Sequence, residues 1–175
     1  MSHDGTRTDL LIVGAGPTGL AAACDAARFG LSTRIIERRA TRAEYSKALV
    51  VHARTMEVFE RLGCADDVLR EGAKFRALHV HTKPGSTRTR VDLLDRRWGD
   101  TRYPFWLSIP QYEVERALER RLAATGGAIE WSTELSGLDE TRDGVLATLR
   151  TADGATVTHH ARQVLGCDGG RSTTR

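Results

Sequence analysis

Gly14, Gly16 and Gly19 stand in the spacing G-x-G-x-x-G, with Thr18 between the second and the third. That spacing serves one kind of chemistry, bringing peptide N–H groups against a phosphate. Gly14 permits a tight turn, and Gly16 removes the side chain that would hold a pyrophosphate off the backbone. Gly19 lets a helix pack against a strand. The free N–H groups and the dipole at the helix start then favour anionic charge. Glu37 follows about 20 residues on, where a carboxylate can accept hydrogen bonds from ribose hydroxyls. The residues read as a dinucleotide site; the competing reading is a glycine turn that merely packs.

The elements that must position these residues are legible. Residues 9–13 form a short apolar run expected as a buried parallel strand, 18–29 an alanine-rich helix stopped by Gly30, and 33–37 a second strand. A polar loop spans 38–46. Residues 52–62 are expected as a helix with Val58, Phe59 and Leu62 on one face and Gly63 as its stop, and 66–71 as a short helix. Strands are expected at 75–81 and 87–94, joined at Lys83-Pro84-Gly85-Ser86. A clear helix runs over 110–125. Pro110 suits its first turn, Arg120 and Arg121 lie near its end, and Val114, Ala117, Leu118 and Leu122 form the apolar stripe. A strand at 128–133, a β-meander turning at Asp143-Gly144 and Asp153-Gly154, and a separate short strand at 163–167 complete the chain.

Composition narrows the function classes. The 175 residues carry 26 Lys and Arg against 23 Asp and Glu, a net charge of +3, and the arginines are scattered. Without a basic block interleaved with aromatics, nucleic acid is a poor partner. Cys24, Cys64 and Cys167 are three, far apart and in no C-x-x-C motif, which suits a cytoplasmic location. The longest uncharged run, residues 10–24, is too short and too rich in glycine and proline to span a membrane. It ends in Ala21-Ala22-Ala23 like a signal peptide, but Asp4 and Asp9 replace the positive region that precedes one.

Four stretches, taken in order, carry a likeness: the glycine run with Glu37-Arg38; Ser46-Lys47-Ala48 through His52-Ala53-Arg54-Thr55-Met56-Glu57-Val58; Ile109-Pro110-Gln111 opening a helix that includes Glu115; and Gly166-Cys167-Asp168-Gly169-Gly170-Arg171-Ser172. Together they resemble the FAD-dependent aromatic monooxygenases, the family of p-hydroxybenzoate and phenol hydroxylases. The resemblance implies an α/β, Rossmann-like FAD-binding fold with a β-meander and the beginning of a substrate-domain β-sheet. It also implies FAD as cofactor, NADH or NADPH as co-substrate, and transfer of oxygen to a phenolic or polyketide ring. A small aromatic substrate is the expected partner, and a homo-oligomer is compatible with it; a membrane is not expected.

On that resemblance Arg54 directs a guanidinium at the cofactor's phosphate and ribityl region. Its alternative is a surface arginine on an amphipathic helix. Gln111 bonds the ribityl chain or the flavin's surroundings, against a plain helix-start residue. Asp168 accepts ribityl hydroxyls while Gly169 allows close backbone approach, against an Asp-Gly turn. The expected cofactor set is therefore Gly14, Gly16, Thr18, Gly19, Glu37, Arg38, Arg54, Gln111, Asp168 and Gly169, with no metal ligand and no assignable catalytic acid or base.

Other residues are weaker. His79 and His81 share a strand face without a third ligand in register, and His159 and His160 point to opposite faces. Trp98, Tyr103, Phe105 and Trp106 are expected as core or loop packing. The family's later G-D-A-A-H motif is absent, and Gly99-Asp100-Thr101 precedes the D-G motif and lacks the small residues. The chain is thus expected to be an FAD-binding domain over 1–175, incomplete at its C-terminus. Its parts would be a nucleotide-binding core with following helices (8–73), partial substrate-domain strands (74–108), and a helix, meander and D-G motif (109–175). Two other readings stay open: an NAD(P)-dependent dehydrogenase with Arg38 near a 2′-phosphate, and a non-catalytic nucleotide-binding fragment.

Overall fold

The computed structural model describes residues 7–42, 49–80, 89–93 and 99–174. In chain order the elements are β1 (Arg7–Val13), α1 (Pro17–Arg28), β2 (Thr33–Glu37), β3 (Val50–Val51), α2 (Ala53–Leu62), α3 (Ala65–Glu71), β4 (Ala73–Lys74) and β5 (Ala77–Val80). Then come β6 (Thr89–Asp92), β7 (Leu107–Ser108), α4 (Gln111–Ala124), β8 (Ile129–Trp131), β9 (Glu134–Thr141), β10 (Gly144–Arg150) and β11 (Thr156–Gly166). They form two compact units, Met1–Glu44 with Leu118–Arg175, and Tyr45–Ala117. Among the described residues no helix is long and apolar enough to cross a membrane.

The first unit is built on a sheet of order β8-β2-β1-β11-β10-β9. β8, β2, β1 and β11 run parallel, whereas β10 and β9 are antiparallel. Parallel strands need cover on both faces, and β1 meets that demand: Leu11 and Ile12 are fully buried. The small side chains of α1 let the helix lie close on β1 and β2, with Leu20, Ala23 and Cys24 buried. Cys24 Sγ donates to the Leu118 carbonyl on α4 at 3.4 Å. Burial pushes this thiol up to about 11, so it is an inert packing group at neutral pH. One apolar cluster joins Leu11, Val13 and Ile36 of the parallel strands to Leu135, Ala147, Leu149 and Ala161 of the meander.

The sequence reading needs one correction here. The expected separate strand at 163–167 does not exist; it is the second half of β11, which runs unbroken for 11 residues. Its first part pairs antiparallel with β10 from Thr156 to Ala161, and its later part pairs parallel with β1 up to Gly166. Arg162 and Gln163, where the expected boundary fell, have exposed side chains and interrupt no burial.

In the second unit α2 and α3 bury Met56, Phe59, Leu62, Ala65 and Val68. Three two-residue strands form a small antiparallel sheet, β3-β7-β4, and β5 pairs with β6. The three short strands had no counterpart in the sequence reading. Tyr103 and Phe105 are buried and meet edge to face at 6.2 Å, so they are core packing. β5 (Ala77–Val80) and β6 (Thr89–Asp92) lie within the strands expected at 75–81 and 87–94; residues 81–88 and 94–98, with His81, Trp98 and the turn at 83–86, lie outside the described residues.

Candidate functional site

The carboxyl ends of β1, β2 and β11 finish level with one another. Val13 pairs with Ile36 on one side and Gly166 on the other. Gly14 N–H donates to the Ile36 carbonyl at 2.8 Å, and Cys167 N–H donates to the Val13 carbonyl at 2.7 Å. The chain leaves β1 toward β2, while β11 flanks its other edge, so a crevice opens outside the strand ends at the point where strand order reverses.

Each glycine of the run has a distinct surrounding. Gly14 has φ +103°, and a Cβ there would come within 2.5 Å of the Cys167 carbonyl oxygen. A Cβ on Gly19 would meet the Gly14 carbonyl oxygen at 1.9 Å. These two close the turn onto the Cys167-Asp168 backbone and the helix onto the turn. Gly16 differs: a Cβ there would meet nothing within 4 Å. It is the N-cap of α1, no side chain caps that helix, Pro17 opens it, and its first turn holds no acid. The N–H groups of Thr18 and Gly19 thus start a helix whose positive end faces open space. Thr18 is exposed. This donor set and this cleared backbone fit a pyrophosphate.

Glu37 ends β2 and is buried. Its Oε2 accepts the Ala15 N–H at 3.0 Å, and its Oε1 accepts the Arg39 N–H at 3.1 Å and Arg39 Nε at 2.9 Å. Burial alone would raise its pKa, but bonds from Arg39 and Ala15 outweigh burial and hold it below the usual range. Arg38 is exposed and, with Glu37, Thr133, Glu134, Leu135 and Asp168, lines a narrow pocket of about 40 Å³ beside Gly14. Thr133 is buried and donates its N–H to the Glu37 carbonyl at 3.0 Å. Sequence reasoning missed Arg39 and Thr133. Arg39 lies in the bend that follows β2, where no strand period places its side chain.

Asp168 lies just past β11, beside Gly169 with φ +79°. Its Oδ1 accepts the Ser172 hydroxyl at 2.7 Å. Its Oδ2 accepts the N–H groups of Thr173 and Thr174 at 2.6 and 3.1 Å and the Thr174 hydroxyl at 3.1 Å. Burial raises its pKa, and these bonds more than offset it, for a net lowering. The carboxylate therefore organises the turn that follows it, the Asp-Ser/Thr behaviour of local side chain to backbone bonding. A shallow cleft of about 350 Å³ joins Thr18, Cys167, Asp168 and Gly169.

Arg54 and Gln111 belong to the second unit. Arg54 is on the first turn of α2, its side chain 81% exposed and paired with Glu57 at 2.6 Å. Gln111 opens α4 and donates Nε2–H to the buried Glu115 at 2.8 Å. Ser46, Lys47 and Ala48 lie outside the described residues. His79 is an exposed residue of β5. His159 is buried, its Nε2 2.9 Å from the Thr8 hydroxyl, whereas His160 is half-buried near Asp143.

A parallel sheet with a glycine turn, an open helix start and an acid at the end of the second strand defines an α/β, Rossmann-like nucleotide-binding fold. Residues 7–175 match the family model described as the FAD binding domain, and the chain belongs to that family. It is 38% identical over 167 residues to pentachlorophenol 4-monooxygenase from Sphingobium chlorophenolicum, a match covering 95% of this chain and 30% of that protein. It is 32% identical over 166 residues to dialkyldecalin synthase from Streptomyces rugosporus, covering 95% of this chain and 33% of that one. The solved structure of OxyS anhydrotetracycline hydroxylase from Streptomyces rimosus superposes with a TM-score of 0.83 at 34% identity, over 97% of this chain and 33% of that chain. The chain thus spans about a third of the length of the curated relatives it matches.

Proposed function

We propose that this chain is the FAD-binding part of a flavin-dependent monooxygenase that hydroxylates an aromatic substrate, phenolic or polyketide, using NADH or NADPH and O2. The observation that carries the reading is the open, uncapped start of α1 at Gly16, set between Glu37 and Asp168 in a member of the FAD binding domain family. When bound, FAD supplies the redox chemistry, accepting hydride from the nicotinamide and delivering oxygen to the ring. The protein's own part is to bind and orient. Thr18 and Gly19 N–H groups donate to the pyrophosphate, and Gly14 and Gly16 let it approach. Glu37 accepts ribose hydroxyls with Arg38 at the pocket rim. Asp168 Oδ1, which accepts a single bond from Ser172, takes a ribityl hydroxyl, and Gly169 keeps that approach clear. Arg54 and Gln111 are further proposed cofactor-binding residues. We place the protein in the cytoplasm, in keeping with its scattered cysteines.

The test is spectroscopic. Purified chain, incubated with FAD and passed through a desalting column, should retain a flavin absorbance band near stoichiometry. Retention of NADPH but no flavin supports the dehydrogenase reading instead. The synthase among the relatives makes a second arm necessary: oxygen-dependent NAD(P)H consumption with phenolic and polyketide substrates. Flavin retention without any such consumption in the full-length protein removes the monooxygenase step and leaves FAD binding.

A further inference from the structure

The two oxygens of Asp168 are used unequally. Oδ2 accepts three donors: the Thr173 N–H at 2.6 Å, the Thr174 N–H at 3.1 Å and the Thr174 hydroxyl at 3.1 Å. Oδ1 accepts the Ser172 hydroxyl at 2.7 Å. Each carboxylate oxygen has two lone pairs, so the turn saturates Oδ2 while Oδ1 keeps a position for one more donor. The torsion that exchanges the two oxygens is broad and roughly two-fold. The carboxylate offers Oδ1 to a ligand only as long as its other oxygen is held in place.

Two of the three donors on Oδ2 are peptide N–H groups, which most residue types supply. The third depends on the side chain of Thr174. Threonine carries its hydroxyl and its methyl on one Cβ, so a single χ1 angle places both. A Cβ on Gly166, the last residue of β11, would come within 2.8 Å of both Cβ and Cγ2 of Thr174. Thr174 therefore lies in the space that the glycine leaves open at the strand end, and from there its hydroxyl reaches Asp168. Asp168, Ser172 and Thr174 all line the cleft of about 350 Å³ that also includes Thr18. The bonding thus runs both ways: Asp168 gathers the turn, and the turn fixes the carboxylate.

We propose that Thr174 is a positioning residue for the cofactor: its hydroxyl locks Oδ2 of Asp168, so that Oδ1 is the oxygen presented to a ribityl hydroxyl of FAD. The inference rests on the FAD reading and adds to it a residue that acts through Asp168. Without the Thr174 hydroxyl the two oxygens become nearly equivalent, with two donors on one and one on the other. Ser172 cannot replace it, because Ser172 donates to Oδ1.

The test uses the full chain and two variants. Thr174→Val keeps the branched shape and the peptide N–H but has no hydroxyl; Thr174→Ser keeps the hydroxyl and loses the methyl. FAD binding is followed by flavin fluorescence and ADP binding by titration calorimetry, ADP having the adenosine and pyrophosphate without a ribityl chain. Thr174→Val should remain folded by circular dichroism, weaken FAD by about fivefold or more and leave ADP within about twofold of the parent. Thr174→Ser should bind FAD within about twofold of the parent. Parental FAD affinity in Thr174→Val overturns the positioning role and leaves the FAD reading standing. An equal loss of ADP affinity also overturns it, since Thr174 would then support the turn as a whole. A loss in Thr174→Ser as large as that in Thr174→Val overturns it as well, by assigning the effect to the methyl contact. No FAD binding by the parent chain overturns the FAD reading and this inference with it.

Discussion

At the scale of single residues, the three glycines of one motif separate into two kinds, and the difference can be measured. Gly14 holds a left-handed φ against the Cys167 carbonyl, so Gly14→Ala adds both backbone strain and a clash. We expect it to cost about 2 kcal/mol or more in urea denaturation. Gly16 has φ −74° and open space where a Cβ would stand. Gly16→Ala should leave stability within about 0.5 kcal/mol of the parent yet weaken FAD binding by about tenfold or more, because the methyl group occupies the approach of the phosphate. A variant that binds FAD as tightly as the parent removes Gly16 from the site. A second residue-scale effect is set by pH. Burial, reinforced by Arg34, pushes the pKa of His159 below its ordinary 6.5. The unfolded chain then binds the proton more readily, so stability declines as pH falls below about 6.5. Glu37 and Asp168 lie below their ordinary 4.5 and 3.8. Their stabilisation is present above those values and is lost only at lower pH. Melting temperature should therefore fall in two acid steps, and His159→Gln, which keeps a polar partner for Thr8, should flatten the first and spare the second. Equal slopes between pH 7 and 5 in both proteins would count against the buried-histidine account.

At the scale of elements, what the sequence disclosed depended on how many residues repeated a pattern. The β1-α1-β2 unit was legible because an apolar strand, an alanine-rich helix and placed glycines all agree, and the position of Glu37 at a strand end came with it. β3, β4 and β7 have two residues each, too few to show a period, and their pairing depends on tertiary contacts. β11 is one strand where a separate short one was expected at 163–167, and the exposed polar residues 162 and 163 do not interrupt it. Carboxylate partners were the least legible part of the site. Arg39 reaches Glu37, and Ser172 to Thr174 wrap Asp168, through turns whose conformations no periodic pattern encodes. The meander, by contrast, makes a prediction through packing. Leu149 on β10 is fully buried in the cluster that contains Leu11 and Val13, the residues leading into Gly14. Leu149→Ala should cost about 2–5 kcal/mol, whereas Leu165→Ala, 39% exposed on β11, should cost under about 1 kcal/mol. Similar losses for the two, by chemical denaturation, would mean that the meander does not share a core with the parallel strands.

At the scale of the whole molecule, the proposed cofactor set is divided between two compact units. Gly14, Gly16, Thr18, Gly19, Glu37, Arg38, Asp168 and Gly169 belong to the first, and Arg54 and Gln111 to the second. A ligand stabilises only the parts that it contacts in the folded state, and a concentration of a hundred times Kd contributes about 2.7 kcal/mol. For a chain of this size each kcal/mol raises the midpoint by about 2–4 °C. Saturating FAD should raise the unfolding midpoint by about 5–10 °C in calorimetry. Arg54→Ala tests this directly. Arg54 is exposed and its ion pair with Glu57 is a surface i,i+3 pair, so its removal should leave the FAD-free melt nearly unchanged. With FAD present, the variant should show a smaller rise in midpoint than the parent. An unreduced shift in Arg54→Ala would show that the arginine takes no part in holding the cofactor.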